Sequence, residues 1–116
     1  MDGARFLRSV GAGARLCGLV TNHSGAAHEA RLRGLAAELA GFFDERSLAR
    51  DGLWYCDMTT GPDGRAMTFT ERLAEIQQRY GDGHVVPQAI GAAAVEIQAA
   101  IDRVLSQASA LRLVAR

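Results

Sequence analysis

Apolar residues along this chain recur at steps of three and four, and no window alternates apolar with polar as a half-buried strand requires. That spacing confines the fold to the all-α class. The clearest stripe is Leu32, Leu35, Leu39 and Phe42, with Glu29, Arg33 and Glu38 elsewhere on the wheel, and it predicts one helix through the segment. Before it, Asp2 is placed to cap a short helix carrying Phe6, Leu7 and Val10 that Gly11 and Gly13 end, and Leu16, Leu19 and Val20 mark a second helix running up to the polar stop Thr21-Asn22-His23-Ser24-Gly25.

After it, Ser47 reads as the N-cap of a helix from Leu48 to about Met58, on which Leu53 and Asp57 share a face. Thr59 to Gly64 is a turn by composition. Thr68 and Glu71 form a capping-box pattern ahead of Phe69, Leu73, Ile76 and Tyr80, which Gly81-Asp82-Gly83 closes. From Val86 onward Ile90, Ile97, Ile101, Val104 and Leu105 fall on one stripe, in one bent helix or two, since Gly91 weakens it near its start. The expected architecture is a bundle of about six helices in a single domain over residues 1–116.

Thirteen basic residues balance thirteen acidic ones and are interspersed, so the charged stripe of a nucleic-acid binder is missing. No apolar run approaches the roughly 20 residues of a membrane span, and the first residues do not open a signal peptide, so a cytoplasmic chain is expected. Cys17 and Cys56 lie far apart in apolar helical stretches and read as buried, reduced thiols.

Only three histidines are present. His23 lies in a polar loop, where it either faces a cleft or simply sits on the surface beside a helix stop. His28 precedes Leu32 by four and reads as a packed or partly buried histidine rather than a ligand, and His84 as a first-turn residue without catalytic part. Asp57, between Cys56 and Met58 and beside Trp54 and Tyr55, would be costly to bury unless paired or coordinated; its plainer reading is a helix-end residue bonding the hydroxyls of Thr59 or Thr60. Asp44, Glu45, Glu71 and Glu75 read as caps and solvated faces.

Several segments in order, Asp2-Gly3-Ala4-Arg5-Phe6-Leu7-Arg8, Asn22-His23-Ser24, Arg33-Gly34-Leu35-Ala36-Ala37-Glu38-Leu39, Tyr55-Cys56-Asp57-Met58-Thr59-Thr60-Gly61-Pro62-Asp63-Gly64 and Glu71-Arg72-Leu73-Ala74-Glu75-Ile76, resemble the C-terminal part of small bacterial, actinobacterial-type HD-domain proteins. These belong to a metal-dependent phosphohydrolase superfamily. The resemblance implies an HD-like helical domain that holds divalent metal (Mn, Fe, Zn or Mg) through a histidine, a His-Asp dyad and a final aspartate, and hydrolyses phosphate esters. Under it Asp57 matches the final aspartate and His23 the second of a His-His pair, with Asn22 in place of the first. The leading histidine and the His-Asp dyad would lie N-terminal to Asp2, so the expectation is an N-terminally truncated domain without turnover of its own. Val95 stands where the family commonly has a proline, which favours a more continuous final helix.

Two other readings follow from the same shortage of ligands. One is a non-catalytic helical module whose exposed apolar face takes a second copy or the missing N-terminal segment. The other is an enzyme that assembles its site across a homodimer from His23 and Asp57 of each copy.

Overall fold

The structure, a computed structural model, describes residues 2–81 and 83–115. Among the described residues it is all-α: eight helices, α1 (Asp2–Ser9), α2 (Ala14–Thr21), α3 (Ala26–Leu32), α4 (Ala36–Leu39), α5 (Leu48–Met58), α6 (Phe69–Tyr80), α7 (Val85–Ala92) and α8 (Ala94–Ala115), with one isolated bridge between Thr60 and Ala66. The count exceeds the expected six because two segments break.

The larger correction concerns the Leu32–Phe42 stripe, which is not one helix. Gly34 takes a left-handed φ of 72°, its N–H donates to the Arg31 carbonyl, and the Leu35 N–H reaches back to the Ala30 carbonyl. That is a Schellman stop, and it ends α3 two residues earlier. Leu32 is left half exposed, whereas Leu39 and Phe42 are buried from a one-turn helix and a loop. Periodicity continued across a stop whose signal was a single glycine. Gly11, at φ 87°, ends α1 by the same pair of bonds, to Arg8 and Leu7. Asp2 lies inside the first turn of α1 and not ahead of it.

The second break falls at Ala93, between α7 and α8, so the more continuous final helix expected from Val95 is absent. Ala93 is fully buried and its Cβ lies where a Cβ on Gly25 would come within 2.9 Å. Here α3 is packed against α7, and small residues on both sides permit the close approach.

Elsewhere the caps follow the expected chemistry. Ser47 Oγ accepts from the Arg50 N–H and Thr68 Oγ1 from the Glu71 N–H, satisfying donors that a helix start leaves unpaired. Asp82, expected in the stop after α6, lies outside the described residues. His84 is the N-cap of α7, its Nδ1 accepting from the Val86 N–H.

The principal core gathers Trp54 and Met58 of α5, Phe69 and Ile76 of α6, Ile90 of α7 and Ile97, Ala100 and Ile101 of α8. Val104 is half-buried and Leu105 exposed, so the α8 stripe leaves the core after Ile101. A smaller cluster joins Ala4, Cys17 and Phe42. Asn22 links the two: its Nδ2 donates to the carbonyls of Gly18, Phe42 and Phe43, and its own carbonyl accepts from Trp54 Nε1 at 3.2 Å. Cys17 is buried as expected, but Cys56 is exposed. The buried positions of α5 are Asp51, Trp54 and Met58, and position 56 falls off that stripe.

Asp51 and Arg103 tie α5 to α8 by two hydrogen bonds, at 2.7 and 2.9 Å. Those bonds hold the Asp51 carboxyl below its ordinary value against the opposing effect of burial, with the charges of Arg103 and Arg50 adding to them. Hydrogen bonds from Arg15, and then from Ser47, draw partly buried Glu45 down from 4.5 to about 2. A carboxyl whose folded value is lowered stabilises the fold above its unfolded value and loses that contribution as pH falls toward the folded one. Thermal stability should therefore decline from about pH 4.5 toward pH 2. Circular-dichroism melts should find the decline shallower in Asp51→Asn; an unchanged slope would contradict the assignment.

Candidate functional site

His23 follows α2 directly, in the turn that leads into α3. Ser24 adopts a φ of 45° and Gly25 one of 83°, so two successive left-handed residues reverse the chain. Such backbone is uncommon for a residue with a side chain and costs of order 1 kcal/mol or more. Ser24 is also buried, and its hydroxyl finds no hydrogen-bond partner.

The turn sets the imidazole. His23 Nδ1 lies 2.5 Å from the Val20 carbonyl, which can only accept, so Nδ1 carries a proton and Nε2 is the nitrogen left to meet a partner. Nε2 faces Asp57, at 3.9 Å from Oδ2.

Asp57 is near the end of α5 with its side chain one-third exposed. The expected bonds from Thr59 or Thr60 do not form: Thr59 Oγ1 donates instead to the Tyr55 carbonyl. Arg72 of α6 holds the residue from the other side. Its Nε donates to the Asp57 carbonyl at 3.2 Å, its Nη2 lies 3.8 Å from Oδ1, and its Nη1 bonds Glu75. One carboxylate oxygen thus faces a guanidinium and the other a histidine. Arg72 was not among the residues singled out from the sequence; a basic residue on α6 one turn from Glu75 reads as an ordinary surface ion pair.

The imidazole is oriented from behind by a backbone carbonyl, as metal-ligating histidines commonly are, while the Asp57 carboxylate has the Arg72 guanidinium 3.8 Å away. With bonds of about 2.0–2.1 Å, two donors on a tetrahedral ion lie about 3.4 Å apart, so a modest side-chain rotation would bring the pair onto one ion. Asn22 does not join them. Its side chain is turned inward onto the carbonyls of residues 18, 42 and 43.

The remaining histidines are occupied elsewhere. His28 is partly buried, accepting from Arg31 at Nδ1 and facing Glu96 at 3.5 Å, and His84 caps α7. Among the described residues no three His, Cys, Asp or Glu side chains lie close enough to hold a metal ion. No protein-family model matches the chain, and neither does any curated protein or solved structure.

A groove of about 790 Å³ runs between α5 and α8 and is lined by Arg46, Arg50, Asp51, Asp102 and Arg103 among others. It does not contain His23 or Asp57. Its charges Asp51 and Arg103 are bonded to each other, whereas Nε2 of His23 faces one oxygen of Asp57. No helix among the described residues is long and apolar enough to cross a membrane.

Proposed function

We propose that the chain carries part of a divalent-metal site of the HD phosphohydrolase kind, with Asp57 and His23 as two of its donors. We further propose that it does not hydrolyse phosphate esters alone. The approach of His23 Nε2 to Asp57 Oδ2 carries the reading, because the two residues come from separate elements and are the two that the family resemblance singles out.

A Mn, Fe, Zn or Mg ion at a complete site of this kind would supply an acidic bound water and polarise the phosphate ester. The residues of this chain do the holding. Val20 keeps Nε2 of His23 facing the carboxylate, and Arg72 offsets part of the negative charge of Asp57. A hydrolytic centre needs three or more protein ligands and an open position, and two donors fall short of that. A cytoplasmic setting belongs to the same reading, and the balanced charge speaks against a nucleic-acid partner.

The alternative, a non-catalytic module that takes a partner on an apolar face, is favoured by the exposure of Phe6, Val10 and Phe43, each more than three-fifths exposed.

Substoichiometric Mn²⁺ should broaden amide resonances near residues 21–25 and 55–59 in wild-type protein and leave them sharp in Asp57→Asn, while p-nitrophenyl phosphate turnover stays at background in both. Broadening that ignores the substitution would remove the metal reading. Turnover by the purified chain that Asp57→Asn abolishes would overturn the claim that the site is incomplete.

A further inference from the structure

We propose that a second copy of this chain completes the site, so that one zinc ion is held by His23 and Asp57 of one copy and the same two residues of the other. The proposal rests on the metal reading above and adds to it the source of the missing donors and the result of filling them.

Three observations point this way. Each copy presents two oriented donors, with the His23 and Asp57 side chains 46% and 33% exposed, so the pair is reachable from outside the chain. No further donor is at hand: His28 and His84 are engaged, and no cluster of three ligating side chains occurs among the described residues. Two Asp57 carboxylates match the charge of a divalent cation, and the Arg72 beside each of them is paired with Glu75 as well.

Two-fold symmetry suits such a site, because each copy contributes the same patch and an ion on the axis meets equivalent donors from both. Two nitrogens and two oxygens fill the tetrahedron that zinc prefers. No position then remains for water, so the ion joins the copies and does not hydrolyse. Without the ion, two Asp57 carboxylates would face each other, and their repulsion opposes pairing. Association is thus conditional on metal.

Size-exclusion chromatography with light scattering, run beside calorimetric zinc titration, tests this. The expected result is a rise from 12.4 kDa to twice that mass on adding half an equivalent of zinc, reversed by chelator. His23→Ala and Asp57→Asn should each abolish the rise, with the helical circular-dichroism signal retained, whereas Cys56→Ser and His28→Ala should keep it. One zinc per chain, lost in Asp57→Asn but with the mass unchanged, would overturn the shared site while leaving the metal reading standing. No zinc binding at micromolar concentration would overturn both.

Discussion

Trp54→Ala is expected to remove about 3–5 kcal/mol of folding stability, a large share of the 5–15 kcal/mol typical of a domain. Trp54 is almost fully buried in the principal core. Its indole N–H donates to the Asn22 carbonyl, and the Arg50 guanidinium lies over the ring at 4.1 Å. Truncation therefore opens a cavity, leaves a buried carbonyl without its donor and uncovers an arginine stem. Trp54→Phe keeps most of the packing but not the hydrogen bond, and should lose a smaller amount, about 1–2 kcal/mol. Urea unfolding followed by far-ultraviolet circular dichroism orders the two; equal losses would mean that the bond to Asn22 carries the effect and the packing does not.

Gly18→Ala should be the most damaging single methyl in the molecule. A Cβ at position 18 would sit 2.3 Å from the Phe43 carbonyl oxygen, which is backbone and cannot swing aside. Either α2 or the 42–43 segment must move, and both are held by Asn22. The expected loss is about 3 kcal/mol, at the upper end for overpacking. Gly52→Ala is the matched control: it lies inside α5 with nothing within 4 Å of its Cβ. Relief of glycine's conformational freedom there should stabilise by about 0.5–1 kcal/mol. The same chemical change is thus expected to have opposite signs at two helical positions, and a destabilised Gly52→Ala would show that helix propensity is not what position 52 lacks.

What was legible in the amino-acid pattern was local. Ser47 and Thr68 announced the starts of α5 and α6 because an N-cap hydroxyl acts on a neighbour three residues on, and the glycine–proline turn between those helices speaks for itself. The long helix expected through Phe42 failed because the leucine spacing persisted beyond a Schellman stop that one glycine sets. Cys56 was misplaced because its neighbours in sequence are apolar while its own direction on α5 points away from the core. Asn22 shows a different limit. Its partners at Phe42 and Phe43 are distant in the chain, so nothing local revealed that it joins two cores. The same holds for the site: residue types and a family resemblance singled out His23 and Asp57, but their approach, and the role of Arg72 behind the carboxylate, arise only when the α2–α3 turn, α5 and α6 are packed together.

The decisive measurement is a crystal structure of the chain grown with zinc or manganese, in which the side chains around each bound ion are counted by the copy they come from. The account predicts His23 and Asp57 as the only donors that any single copy contributes. An ion ringed by three or more side chains of one copy would contradict it.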